Sequence, residues 1–188
     1  MRFTLYTYLE KHPVQMKAVQ LWLKLNLPVP SGIKRQLANE IHAEMIVRLM
    51  DILVREGELT IERALQVHFE IGKEIAEQVK NFLSVNPNDA ASLSGIIDFL
   101  HGLLCISGKE SIEHSPDRAV SHWRKCSLSG QLSERKEGGG PYYCHLFQEM
   151  YKGVLFGINP NARANDLETT RSQGFAYCEL QTWIEQDA

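Results

Sequence analysis

The chain has 188 residues, of which 44% are hydrophobic and 23% charged, and its formal net charge is −3. That balance suits a folded domain with a real core and excludes global disorder. The negative charge and the lack of a dense Lys/Arg run argue against a nucleic-acid partner. No apolar stretch is long enough to span a bilayer, since the longest, from Ile96 to Ile106, is broken by Asp98 and His101.

The opening residues carry neither an apolar core segment nor a small-residue cleavage site, so a cytoplasmic location is expected. Four cysteines in a chain of this length do not read as a secreted disulfide framework, and reduced thiols are expected. Pro13, Pro28 and Pro30 punctuate the first thirty residues, with Val14 to Leu27 apolar enough for a helix. Ser31 reads as the N-cap of a long helix reaching about Arg55. Its stripe is Ile33, Leu37, Ile41, Met45, Leu49 and Leu53, and Gly57 ends it.

Thr60 is a second cap candidate, opening a helix whose apolar positions include Ala64, Leu65, Phe69, Ile71, Ile75 and Val79. Asn86-Pro87-Asn88-Asp89 breaks it, and Asn88 or Asp89 caps a third helix carrying Leu93, Ile96, Ile97, Leu100 and Leu104. None of these helices can bury its stripe alone, so they are expected to pack as a bundle, with a homodimer as a candidate assembly.

The pattern changes after Gly108. Arg118 to Ser127 reads as a strand, and Gln131 to Gly140 as a polar loop able to act as a lid. Pro141 suits the first turn of a helix running to Phe156, with Leu146, Phe147, Met150, Val154 and Leu155 buried. Ala164 to Arg171 and Phe175 to Glu185 then read as a β-hairpin around Ser172-Gln173-Gly174. The expected fold is α+β: a helical N-terminal region over 1–110, integrated with a C-terminal unit over 111–188 made of an antiparallel sheet and a helix.

The chemistry-bearing residues lie in that second unit. Strand alternation places Val120, His122, Arg124 and Cys126 on one face, a polar set that suits a pocket, and Trp123 on the other. Cys144, early in its helix, would gain thiolate character from the helix N-terminus, with His145 beside it. Cys178 shares an apolar strand face with Leu180. Cys126, Cys144 and Cys178 with His145 or His122 make a chemically sensible zinc set, although no Cys-x-x-Cys or His-x3-His pair is present. Cys105 reads as core, His42, His68 and His101 as single helical residues, and Met150 and Tyr151 as packing.

The order of strand ending in Cys126, helix opening near Cys144, and Thr170-x3-Gly174-x3-Cys178 resembles the L-2-amino-thiazoline-4-carboxylic acid hydrolase family. It is more distantly similar to the 4-vinyl-reductase-type small-molecule-binding domains. Ser127 stands where the hydrolases favour Pro, Leu146 and Phe147 where they favour an acidic residue, and Thr170 where the binding domains have a further cysteine. The resemblance implies a pocket between sheet and helices, and a hydrolase that opens a small heterocycle at a C–N bond. Cys144 would then be the nucleophile, and His145 or His122 would move the proton. Arg124 would hold a substrate carboxylate, with Trp123 and Tyr143 lining the substrate. The alternative is a non-catalytic, sensor-like domain in which the cysteines hold zinc and the pocket binds a small apolar or aromatic ligand. A third reading is a scaffold that uses the helical stripes for protein contact alone.

Overall fold

The computed structural model describes residues 11–25, 30–82, 85–104, 106–126 and 140–185. Ser127 at the end of the expected strand, residues 131–139 of the expected lid, and Cys105 lie outside them. Among the described residues, five α-helices and four strands follow in order: α1 (Pro13–Lys24), α2 (Ser31–Arg55), α3 (Ile61–Phe82), α4 (Ala90–Leu103), β1 (Ser107–His114), β2 (Arg118–Lys125), α5 (Gly140–Ile158), β3 (Ala162–Ala164) and β4 (Cys178–Ile184). The sheet is antiparallel throughout, in the order β1-β2-β4-β3. The fold is α+β, as the element pattern predicts.

Local signals account for most boundaries. Asp89 caps α4 by accepting from the Ala91 amide at 3.1 Å, and the Thr60 hydroxyl accepts from the Arg63 amide at 3.2 Å ahead of α3. Gly57 follows α2 with φ at 74°, the left-handed region open to glycine. The expected Ser31 cap is corrected: Pro30 holds the N-cap position without a side-chain hydrogen bond, and Ser31 is the first helical residue.

The sheet packs its inner face against α4 and α5, and α3 lies behind α5. One core joins Ala76 and Val79 of α3, Leu93, Ile96 and Ile97 of α4, Trp123 of β2, Tyr151, Val154 and Leu155 of α5, and Leu180 of β4. Lys109 on β1 pairs with Asp98 on α4 at 2.6 Å, tying the edge strand to the helix layer. A smaller cluster of Met50, Ala64, Tyr143 and Leu146 is where α2 meets α3 and α5. Elsewhere α2 leaves its stripe in solvent, with Ile41 41%, Met45 63% and Leu49 56% exposed. Of the helices expected to form a bundle, α4 buries Leu93, Ile96, Ile97 and Leu100 and α3 buries Ala64, Ala76 and Val79, whereas Ile71 of α3 and Ile41, Met45 and Leu49 of α2 stay exposed.

Two features depart from the sequence reading. Strand β1 carries one large apolar residue, Ile112, so it shows no alternation to read. It is held by its hairpin with β2, whose Ser115-Pro116-Asp117-Arg118 turn is closed by Ser115 N–H to the Arg118 carbonyl at 2.9 Å. The hairpin expected over 164–171 and 175–185 is a correction. β3 stops at Ala164, and the Asn165 side chain then substitutes for strand backbone. Its Oδ1 accepts from the Gln181 amide at 2.8 Å and its Nδ2 donates to the Glu179 carbonyl at 3.3 Å. Past it the chain turns inward at Leu167 and Thr170, makes a 3₁₀ turn over Arg171–Gln173, and reverses at Gly174 with φ at 97°.

Helices α3 and α5 meet backbone to backbone. A Cβ at Gly153 would overlap the Phe69 carbonyl, and one at Gly72 would overlap the Met150 carbonyl and stand 2.8 Å from the Val154 nitrogen. Only glycine permits this approach. Gly153→Ala is therefore expected to force the helices apart at a cost of about 1–3 kcal/mol, lowering the thermal midpoint by roughly 3–10 °C. Gly95→Ala, at an exposed helical position with open space around it, should leave the midpoint equal or higher. Equal midpoints for the two variants would contradict the contact's importance.

Candidate functional site

Between the inner face of the sheet and helices α4 and α5 lies a cavity of about 60 Å³, set in a hollow of about 480 Å³ that runs out to solvent. The smaller figure is room for several water molecules, since one needs roughly 10–15 Å³. Register builds the floor: Trp123 of β2 stands opposite Cys178 of β4, and Ser121 opposite Leu180. Helical spacing builds the roof. Cys144, Phe147, Gln148 and Tyr151 recur at three- and four-residue intervals on one face of α5 and all line the cavity. His101 arrives from α4, Ile106 from the segment after it, and Leu167 from the inward-turning loop.

The wall is almost wholly apolar, and among the described residues no Asp, Glu, Lys or Arg is in its lining. Its few polar atoms are incompletely satisfied. His101 Nδ1, Gln148 Oε1 and Tyr151 Oη are buried without a protein hydrogen-bond partner. The Gln148 amide is oriented, since its Nε2 donates to the Asn165 carbonyl at 2.5 Å, which leaves Oε1 as an acceptor. The His101 ring is held edge-on between Trp123 and Tyr151, with centroids at 4.2 and 5.1 Å. Burial, with help from the Lys109 charge, drops the His101 pKa to about 3, so the ring is neutral across the physiological range.

Cys126, Cys144 and Cys178 all line this one cavity, but not in the manner expected of a nucleophile. Burial pushes the Cys144 thiol up to about 12, and the neighbouring Cys126 and Cys178 add to the rise. Cys144 sits in the second turn of α5, whose first residue is Gly140, where the helix dipole is spent. Its sulfur lies 3.1 Å from the Ser172 hydroxyl. The Cys178 thiol is also raised by burial, and it accepts from the Arg171 amide at 3.3 Å. Among the described residues no group of three or more His, Cys, Asp or Glu side chains is placed to hold a metal ion. The thiols share the cavity without forming the ligand set that zinc asks for.

The other expected site residues fall elsewhere. His122 and Arg124 are on the outer face of the sheet, which corrects the polar pocket read from strand alternation. The His122 ring stacks on Tyr177 at 3.8 Å and its Nε2 is 3.0 Å from Glu179. Arg124 pairs with Glu110 and lies 5.9 Å from the Tyr177 ring centre. Cys126 parts from them because β2 ends at Lys125, and the chain turns it inward. Tyr143 is buried in the smaller cluster beside Met50, and His145 is not in the cavity's lining. Trp123 alone of the expected substrate contacts faces the cavity.

No protein-family model matches the chain, and no curated protein matches it. The fold recurs in solved structures. One is a trafficking protein particle complex subunit 3 from Naegleria fowleri, covalently bound to palmitic acid. It is 11% identical with a TM-score of 0.54, over 80% of this chain and 96% of its own. Another is the phenol-responsive sensory domain of the transcription activator PoxR with phenol. It is 12% identical with a TM-score of 0.56, over 76% of this chain and 74% of its own. At these identities the likeness is one of fold.

Sequence reading missed His101, Gln148 and Tyr151. The signal was present for two of them: His101 lies on the same α4 stripe as Leu93, Ile97 and Leu100, and Gln148 lies between Cys144 and Tyr151 on α5. A polar residue on a buried stripe marks either a satisfied core group or a site.

Two outcomes follow from the charge states. Unfolded chain takes up a proton at His101 below its ordinary value of 6.5, whereas the folded chain does so only near 3. Stability from this residue is thus complete above pH 6.5 and falls as pH drops, by about 1.4 kcal/mol per unit between 6 and 4. Denaturant titrations should show that slope in the wild type and lose it in His101→Phe; identical slopes would contradict the neutral buried ring. Iodoacetamide at pH 7.5 should label Cys144 far more slowly in folded than in unfolded protein, as read by peptide mass, whereas labelling at an equal rate would mean a reactive thiolate.

Proposed function

We propose that this chain is a binding domain for a small, neutral, hydroxylated aromatic molecule, held without turnover in the cavity between sheet and helices. One observation carries the reading: an apolar cavity whose described lining residues include no ionic side chain but three with unpartnered buried polar atoms. Leaving such atoms unpaired costs on the order of 1–3 kcal/mol each. A phenolic hydroxyl answers that arrangement, because it donates to an acceptor such as Gln148 Oε1 and accepts from a donor such as the Tyr151 hydroxyl. Trp123, Phe147 and Tyr151 offer ring contacts for the aromatic body. The phenol carried by the PoxR sensory domain supports the same ligand class for this chain. A palmitoyl chain fits less well, because its methylenes bring no partner to the buried polar atoms of His101, Gln148 and Tyr151.

The hydrolase reading draws less support. Its substrate carries a carboxylate, and the guanidinium meant to hold it, Arg124, is on the opposite side of the sheet. Its nucleophile, Cys144, is held as the neutral thiol. An ionised ligand entering this cavity would be desolvated without a counter-charge.

Phenol titrated into the purified chain should bind, raise the thermal midpoint and change Trp123 fluorescence, and benzoate should do none of these at equal concentration. Tyr151→Phe, which removes only the donor hydroxyl, is expected to weaken phenol binding about tenfold, the worth of one hydrogen bond. Equal binding of benzoate, or no binding of phenol, would remove the reading.

Association of two copies through α2 belongs to the same proposal, supported by the exposed Ile41, Met45, Leu49 and Ile52 along one helix. Light scattering should give twice the chain mass for the wild type and a single chain mass for the Met45→Glu, Leu49→Glu double variant. A monomeric wild type would end that part of the proposal.

A further inference from the structure

A second, smaller hollow adjoins the cavity. It holds about 10 Å³, the space of one water-sized group, and it shares Gln148, Tyr151 and Leu180 with the main cavity. Its character is different. Ser94 of α4, Ser121 of β2 and Thr182 of β4 bring three hydroxyls to it, and each residue is at most 6% exposed. Sequence explains the convergence: Ser121 and Thr182 follow the inward register of Trp123 and Leu180, and Ser94 faces them from the stripe of α4. Three buried hydroxyl residues facing one hollow are unusual in a core built of Leu, Ile and Val.

The hydrogen bonding gives the hollow a direction. Trp123 Nε1 donates to Ser121 Oγ at 3.1 Å, so the Ser121 hydroxyl keeps its own proton to donate elsewhere. Gln148 Oε1 and Tyr151 Oη, both without a protein partner, belong to residues lining this hollow as well as the main cavity. A ring in the main cavity therefore lies against a partition of Tyr151, Gln148 and Leu180, with hydroxyls behind it.

We infer that the small hollow is a second polar subsite of the ligand site, built to take one hydroxyl-sized group that both donates and accepts. It rests on the reading of the main cavity as an aromatic-ligand site and narrows it, because a subsite behind the ring selects among ring substituents. The group has two sources with the same chemistry: a second hydroxyl on the ligand, or one buried water that bridges Ser94, Ser121 or Thr182 to Gln148 and Tyr151. Each has two to four polar partners available, which is what a buried hydroxyl or water requires. Ile97, Leu155, Ala164, Leu180 and Gln181 line the rest, so a charged substituent finds no counter-charge among the described residues and a larger one finds little room.

The test compares phenol with hydroquinone and resorcinol by calorimetric titration, in the wild type, in Thr182→Val and in Ser94→Ala. Thr182→Val keeps the shape of the strand residue and removes only the hydroxyl. If the ligand supplies the group, one of the dihydroxybenzenes binds the wild type at least about tenfold more tightly than phenol, and both variants erase that preference while phenol affinity stays within about threefold. If a water supplies it, the wild type shows no such preference and both variants weaken all three ligands alike, by about threefold or more. Variants that bind all three ligands as the wild type does would overturn the subsite while leaving the main cavity's role intact. Failure of the wild type to bind any of the three would instead bring down the reading of the main cavity, and the subsite with it. Melting curves of both variants show whether either fold is disturbed, and the isosteric Thr182→Val result decides if Ser94→Ala is.

Discussion

The backbone contact of α3 on α5 at Gly72 and Gly153 is the constraint on which the rest depends. With no side chain between them, the two helices approach closely enough for carbonyl oxygens of one to rest on α-carbons of the other. That approach fixes the rotation of α5 about its own axis. Once the glycine side of α5 is pressed on α3, the residues Cys144, Phe147, Gln148 and Tyr151 have to face the sheet. The cavity is a consequence: the sheet's inner face is set by Trp123 and Leu180, α4 closes one side with His101, and a hollow remains between them. A wider helix crossing would let α5 roll, and the face that lines the cavity would roll with it.

The polarity of the cavity follows from burial, which sets the charge states of His101, Cys144, Tyr151 and Cys178. Burial keeps His101 neutral and Cys144 protonated, and the same effect raises Tyr151 and Cys178. The result is a space that presents dipoles and soft sulfur but no charge. Such a space discriminates by the protonation state of what enters it, because a carboxylate loses its hydration there and gains no ion pair. Glu110 of β1, His122 and Arg124 of β2 and Glu179 of β4 are gathered on the opposite face of the sheet, where water and mutual pairing satisfy them.

The helices were legible in the sequence because periodic apolar positions and caps such as Thr60 and Asp89 act locally. The convergence of Cys126, Cys144 and Cys178 on one cavity was legible as a pattern of residues in the C-terminal unit, but their chemistry was not. Thiol reactivity depends on desolvation, which is set by residues far away in the chain. His122 and Arg124 misled because strand alternation gives two faces without saying which is inner, and Cys126 leaves the alternation once β2 ends. The hairpin failed because Asn165 replaces backbone with side-chain hydrogen bonds, a substitution that no periodicity displays. His101 was read as a single helical residue and Gln148 was passed over, although a polar group on a buried stripe either has a partner or awaits one.

The central claim is that the cavity receives a neutral aromatic hydroxyl. The most direct measurement is a crystal structure of the chain grown with phenol. The account predicts the ring between Trp123 and the α5 face, with its hydroxyl within hydrogen-bonding distance of at least one of His101 Nδ1, Gln148 Oε1 and Tyr151 Oη. Phenol bound elsewhere on the protein with this cavity closed, or bound here with its hydroxyl turned to the apolar wall and those three atoms still unpaired, would contradict it.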